Sequence, residues 1–497
     1  MKTNHYTCSY CLLLLFFATS SLQSVYAQEQ DLEKMRASFE AFEQQTQNKF
    51  KQFADSIDQQ FAQYLLDSWK TFEAVSPSIS PLEEEKPSKQ PIAPDLPNQS
   101  TQISSPNVIP TTSPRLNNTP EEAINLKKSK SVEYQATTVP YFGLDLPISH
   151  EARLHLSLSS PLSASIPAAW EYLSSMDYQF ILAQIAYIRQ KLALNDLANW
   201  ELIRRVSAEI FPYEKNEQIL FTCFLLNKDG FVAKVAFDKE EQLMLLLPCQ
   251  QYLYEIAFYQ IGGQKFYAFS EKGRINKTAK LSSYDVEYEG AEKILNFRFQ
   301  DGFKLPLAQA KRTLSFDYQE QAYELEISYN QNYVDFFKEV APASFELTLS
   351  TPLSPSALNS FEQQIQPVLA AKSELEKVNI LLAMVQKGFE YATDQDQFGY
   401  EKYFYPEELL HYPQSDCEDR SALFSCLVRD LLGLEVIGLI FPDHVATAVK
   451  FNEAVEGDFL ELGAEKFIIC DPTYIGASAG MCMPKYRSSK LEIVLLD

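Results

Sequence analysis

Ser415-Asp416-Cys417-Glu418-Asp419-Arg420 stands directly before Ala422, Leu423, Cys426, Leu427 and Leu431, apolar residues at helical steps closed by Gly433. Ser415 or Asp416 caps such a helix, which puts Cys417 in its first turn. There the helix dipole and the unpaired N–H groups favour a thiolate, the form that attacks carbonyls, and the same N–H groups stabilise a developing oxyanion. Asp416, Glu418 and Asp419 oppose this by raising the thiol pKa, so the reading requires a cationic partner.

The chain has five histidines: His5, His150, His155, His411 and His444. His444 opens an expected strand over 445–451 after Phe441-Pro442-Asp443, and a second expected strand over 466–471 ends with Asp471 before Pro472. Cysteine, histidine and aspartate follow one another at equal intervals of 27 residues, room for a helix plus strand and then for a hairpin. That order suits a thiolate–imidazolium pair with the imidazole held by a carboxylate. His411, six residues before the cysteine, is the alternative base. Singly, each member has a plainer role: a core thiol, a satisfied histidine, an aspartate in a turn.

Three strings carry a family likeness: Asp416-Cys417-Glu418-Asp419-Arg420-Ser421, Pro442-Asp443-His444-Val445-Ala446-Thr447-Ala448-Val449, and Ile469-Cys470-Asp471-Pro472-Thr473-Tyr474-Ile475-Gly476-Ala477. Together they resemble the core of the transglutaminase-like superfamily of papain-type thiol enzymes, whose exported bacterial members include cysteine peptidases. The resemblance covers about residues 355–497. It implies Cys417 as nucleophile, His444 as general base and acid, and Asp471 as orienting carboxylate. It also implies a second oxyanion donor upstream, for which Gln386 is the candidate, with a structural role on its helix as the alternative.

The 497 residues point to about three domains. Acidic residues outnumber basic ones 66 to 43, for a net charge of −23, so nucleic acid and anionic lipid are poor partners. Lys2, the apolar run from Cys11 to Ala18 and Val25-Tyr26-Ala27 have the three parts of a secretory signal over 1–27. Cys8 and Cys11 precede or open the apolar run, so no lipid anchor is expected. No later stretch approaches 18 apolar residues, so no membrane span is expected. The reading is an exported protein, periplasmic, cell-surface or secreted.

An α+β, multidomain chain is expected. Residues 28–75 carry apolar steps of three and four, among them Phe39, Phe42, Phe50, Phe53, Trp69 and Phe72, and read as one amphipathic helix or coiled coil, with self-association as one way to cover its stripe. Residues 76–134 are rich in Pro, Ser and Thr and read as a disordered linker. Residues 135–278 read as a mixed α+β domain with helices over 168–194 and 197–210, strands over 220–226 and 231–237, and a hairpin turn at Asn227-Lys228-Asp229-Gly230. Residues 279–352 alternate with period two and read as a small β-sandwich. Residues 353–497 form the transglutaminase-like domain, entered through the Ser373-Glu374-Leu375-Glu376 capping box.

Two decoys compete with the triad. Asp394-Gln395-Asp396-Gln397-Phe398-Gly399 is half of a calcium loop, but Phe398 and Tyr405 stand where ligands belong. A zinc site from Cys417, His444 and Cys470 conflicts with Asp471, because neighbouring strand residues face opposite ways. A bridge from Cys417 to Cys426 is too long, roughly 13 Å along the helix, whereas one to Cys482 stays open. Neither metal nor cofactor is expected. The functional expectation is a thiol enzyme that hydrolyses peptide or amide bonds through a thioester, with a protein or peptide substrate. A protein-crosslinking transglutaminase and an inactive scaffold or binding protein of the cell envelope are the alternatives.

Overall fold

Helices and strands alternate in an α+β architecture. The computed structural model describes residues 55–75, 82, 85–94, 100–103, 107–109, 128–129, 131–254, 256–271, 273–274, 280–299, 303–339 and 344–496. The chain divides into two compact units, 1–64 and 65–497. In the first, residues 55–64 are helical. The signal expected over 1–27 and the helix expected over 31–54 lie outside the described residues.

The helical reading of 28–75 extends too far. Lys70–Phe72 is a strand paired antiparallel with Leu281–Ser283. Trp69 leaves the helical stripe to pack on Phe237 and Tyr284, with ring centroids 4.9 and 5.6 Å apart, and its indole donates to the Ser163 carbonyl at 3.2 Å. Tertiary aromatic burial outweighs the local period here.

Lys70–Phe72 is the edge of a seven-stranded sheet that continues through Leu281–Ser283, Lys234–Phe237, Leu243–Leu247, Gln264–Ser270 and Phe258–Ile261, with Gly273–Arg274 pairing off Gln264–Ser270. Four helices accompany it: Leu162–Ser174, Tyr178–Leu192, Asp196–Ile210 and Lys215–Lys228. The strand expected over 220–226 lies inside the last of these. Every residue from Ile219 to Asn227 is buried, so apolar groups surround the helix and no period separates it from a strand. Gly230, at φ +86°, follows the end of that helix rather than turning a hairpin.

Residues 279–352 hold no sandwich among the described residues. Leu281–Ser283 belongs to the seven-stranded sheet, and Gln309–Tyr318 pairs with Gln321–Asn330 in one long hairpin turned by Gln319 and Glu320, both at positive φ. Its inward Leu314, Phe316, Leu325 and Ile327 cover the helices Pro355–Leu369 and Glu374–Lys387 instead of a second sheet.

The second sheet runs Phe459–Leu462, Glu465–Cys470, His444–Lys450, Glu435–Phe441, Glu492–Leu495 and Asn107–Ile109. Its last strand is parallel and comes from the expected linker. Other pieces of that linker also dock: Ala93 N–H donates to Ile475 O at 2.8 Å, Ile475 N–H to Pro91 O at 2.9 Å, and Ile103 N–H to Phe459 O at 3.0 Å. Disorder is therefore overturned for 85–94, 100–103 and 107–109; most of the remaining linker lies outside the described residues. The capping box at Ser373 is present, with Glu376 N–H donating to Ser373 Oγ and Ser373 N–H to Glu376 Oε2, both at 3.2 Å.

Glu407 ties three parts of this region together. Buried, it accepts from Asn330 N–H at 2.7 Å, Ser354 N–H at 2.8 Å and Ser354 Oγ–H at 2.8 Å. Burial outweighs these bonds and lifts its carboxyl to about 7. A raised carboxyl pKa means the folded state holds the proton longer than the unfolded one. Stability therefore falls as pH rises from about 4.5 to about 7, by on the order of 3 kcal/mol from this group. Glu407→Gln should lower stability at acid pH by removing one acceptor and should lose this slope. Urea unfolding of both chains from pH 4.5 to 7.5 checks it; parallel slopes would refute the assignment.

Candidate active site

Cys417 is the first residue of the helix Cys417–Leu427, with Asp416 at its N-cap. Two buried groups fix this start. The Asp419 carboxylate accepts from Asp416 N–H at 3.2 Å and from Phe404 N–H at 2.8 Å. Arg420, fully buried, donates to Ser415 Oγ, to the Gln386 carbonyl and to the Phe389 carbonyl at 2.9–3.0 Å. The thiol is sealed among Phe345, Leu349, Ile440, Val445 and Val494, with Leu82 packed against that cluster. Gly438 admits the helix Phe345–Ser350 to this place, since a Cβ there would collide with Leu349 and Phe345.

His444 opens the strand His444–Lys450, opposite Phe441 in the adjoining strand. Its Nε2 lies 2.8 Å from Asp471 Oδ2, and both side chains are buried. Asp471 Oδ1 accepts from Thr473 N–H at 2.9 Å and Tyr474 N–H at 3.1 Å. The carboxylate is thus held as an acceptor, which places the imidazole proton on Nε2 and leaves Nδ1 with its lone pair. Strand alternation sends Cys470 into the helix-side core, away from His444, so the zinc alternative lacks its third ligand.

The structure unites His444 with Asp471 and gives neither a hydrogen bond to Cys417. The thiol donates instead to Glu418 Oε2 at 3.0 Å. Cys417 approaches the end of the His444 strand from the helix side, in contact with Val445 and its cross-strand partner Ile440. Burial first, then the Glu418 and Asp416 charges, push the thiol well above its ordinary range, against the pull of Lys86.

Gln386, expected as an oxyanion donor, has another task. Its amide donates to the Asp471 carbonyl at 2.9 Å and the Ala477 carbonyl at 3.0 Å, and its Oε1 accepts from Gly476 N–H at 3.1 Å. Both amide hydrogens are taken, so it clamps the loop 471–477 and has none left for an oxyanion. His411 faces Lys338 at 3.1 Å and Tyr329 at 3.5 Å, not the triad residues.

Sequence reasoning missed Tyr486 and Lys86. The Tyr486 ring stacks on His444 with centroids 5.2 Å apart and planes within 6°, and its hydroxyl donates to Asp443 at 2.8 Å. Burial, that bond, and the Asp443, Cys417 and Asp471 charges all raise its phenol, so Tyr486 feels both ends of the expected triad. Period counting could not find it, because it sits in a short 3-10 turn, Pro484–Tyr486.

Lys86 brings a cation to the helix start, where the sequence reading gives the pairing charge to the His444 imidazolium. Its ammonium lies 2.5 Å from Glu401, 2.7 Å from Asp416, 3.0 Å from Glu418 and 3.7 Å from Asp394. Burial lifts Asp394, Glu418 and Asp419 well above the usual carboxylate range. Asp394, Asp416 and Asp419 also bring carboxylate oxygens within 4.8 Å of one another, the arrangement that could hold a metal ion. The calcium-loop reading of 394–405 falls, because Asp394–Phe398 is a helical turn closed by Gly399 at φ +73°. The six cysteines from Cys223 to Cys482 are free thiols, so no bridge joins Cys417 to Cys482. No helix among the described residues is long and apolar enough to cross a membrane.

No family model, curated protein or solved structure matches the chain. If Gln386 holds the Asp471 loop, Gln386→Ala leaves the carbonyls of buried Asp471 and Ala477 without this partner and should lower unfolding stability by about 2 kcal/mol. Chemical denaturation reads this directly, and a loss below about 0.5 kcal/mol would show that the loop stands without the clamp.

Proposed function

We propose that the protein is an exported thiol enzyme of transglutaminase-like character that hydrolyses peptide or amide bonds. The observation that carries this is the buried His444–Asp471 pair, 2.8 Å apart, beside a cysteine at a helix start. In this reading His444 Nδ1 takes the Cys417 proton once the thiol turns from Glu418. The thiolate attacks the carbonyl carbon, N–H groups of the helix start receive the oxyanion, and the imidazolium protonates the leaving amine. Water, deprotonated by the same imidazole, then adds to the thioester and expels the thiolate. Tyr486 and Gln386 are positioning residues, one for the ring and one for the Asp471 loop.

One observation favours the scaffold reading instead: the thiol is buried, bonded to Glu418 and raised in pKa. The discriminating experiment incubates wild type, Cys417→Ala and His444→Ala with a mixed peptide library and with envelope extract at pH 7.5. It is repeated in the Lys86→Glu background, because Lys86 pairs with Glu418, the hydrogen-bond partner of the thiol, and Leu82 packs on the cluster around it. New amino termini that fall at least 100-fold in both variants support hydrolysis. Ammonia without new termini would assign an amidase, and crosslinked products a transamidase. Absence of any Cys417-dependent product in either background would establish the scaffold.

A further inference from the structure

The segment around Lys86 runs along the site, bending at Ser88 and Lys89. Leu82 packs on the cluster that holds Cys417. Lys86 fills the acidic pocket next to it, its side chain only 6% exposed. The Pro87 carbonyl accepts from Tyr391 Oη–H at 2.7 Å. Gln90 then donates to the carbonyls of Gln386 at 3.1 Å and Thr473 at 3.0 Å, which flank the Asp471 loop. Pro91 and Ala93 finish with the two main-chain bonds to Ile475. Backbone pairing plus one deep side chain is the way a cleft recognises a peptide.

The pocket is over-acidic for its occupant. Four carboxyl groups face one ammonium, burial lifting those of Asp394 and Glu418 well above the usual carboxylate range, and Asp394 Oδ1, Asp416 Oδ1 and Glu418 Oε1 are buried without a hydrogen-bond partner. A purely structural ion pair would need one or two carboxylates, and each surplus one carries a desolvation penalty. We propose that this pocket is a binding site for the ammonium of a lysyl side chain in a peptide, and that Lys86, carried by residues 85–94, occupies it here as an internal stand-in. As a substrate pocket it rests on the reading of Cys417 as nucleophile; as a peptide site it does not.

The geometry selects ammonium over guanidinium. Oxygens of Glu401, Asp416 and Glu418 converge on one point at 2.5–3.0 Å, matching three N–H bonds that diverge from a single nitrogen. A planar guanidinium presents a fork and needs paired acceptors side by side. The same field argues for recognition rather than attack by the amine. Burial works against the Lys86 charge, yet Asp416, Glu418, Asp394 and Glu401 overcome it and hold the amine protonated, without a lone pair.

The test reads alkylation of Cys417 by iodoacetamide at pH 7.5, mapped by mass spectrometry on the full chain. Buried Cys426 and Cys470 in the same sample report whether the fold persists. Lys86→Glu and Lys86→Gln should speed modification of Cys417 at least 10-fold over wild type and leave Cys426 and Cys470 unmodified. Lys89→Glu, an exposed charge change on the same segment, should alter nothing. A synthetic peptide of residues 82–94, added to the Lys86→Glu chain, should restore protection at least 10-fold. The same peptide with norleucine at position 86 should protect less than 2-fold, and with arginine to an intermediate degree.

The proposal is overturned if Lys86→Glu and Lys86→Gln leave Cys417 as slow as wild type, or if the lysine and norleucine peptides protect equally. It is also overturned if Cys426 and Cys470 react together with Cys417 in both variants, which would make the segment an inseparable part of the fold. Selective protection without any Cys417-dependent product would remove the enzyme reading and keep the peptide site. Turnover without lysine selectivity would do the reverse.

Discussion

The start of the Cys417 helix depends on an ammonium supplied from 330 residues away in sequence. Asp394, Asp416, Glu418 and Asp419 are all buried there, with Glu401 at the margin. Removing a carboxylate from water costs roughly several kcal/mol per ion unless a partner compensates. Lys86 compensates several at once, and its segment brings Gln90 and a main-chain pairing that reach the loop of Asp471. The nucleophile candidate, its acidic neighbours and the loop of the imidazole's partner are therefore held through a piece of chain remote in sequence but within the same compact unit.

Much of the candidate site could be read from local pattern. Asp416 before Cys417, an apolar helical period behind it, and strands that begin at His444 and stop at Asp471 are each written within a dozen residues. Strand alternation allows only one of Cys470 and Asp471 to face His444, and the structure turns Asp471 to it. The capping box at Ser373 was equally readable, because both of its bonds join residues three apart. These features depend on near neighbours, and near neighbours are what a sequence window contains.

What could not be read depends on distant surfaces. Residues 85–94 have the composition of a linker, and nothing within them announces that four carboxylates wait elsewhere. The helix Lys215–Lys228 is apolar on every side, so its period carries no information. The alternation of 309–330 correctly implies one buried face, but period two does not say whether that face meets a sheet or helices; here it meets helices. Gln386 is an oxyanion candidate through the family resemblance, beside a structural alternative, whereas its bonds are set by three loop groups some 85 to 91 residues downstream.

The acidic surroundings of Cys417 argue against a thiolate when the pocket is empty, so a gain in its reactivity on loss of Lys86 comes from exposure and not from ionisation. Burial first, and then the Glu418 and Asp416 charges, oppose ionisation of the thiol, and an ammonium between them offsets part of it. Lys86 has this effect on Cys417 in the present arrangement. A cation in the pocket and a reactive thiol beside it are consequently coupled through the same two carboxylates. Acidic residues that look hostile to a thiol nucleophile become compatible with one when the ligand itself carries the compensating charge.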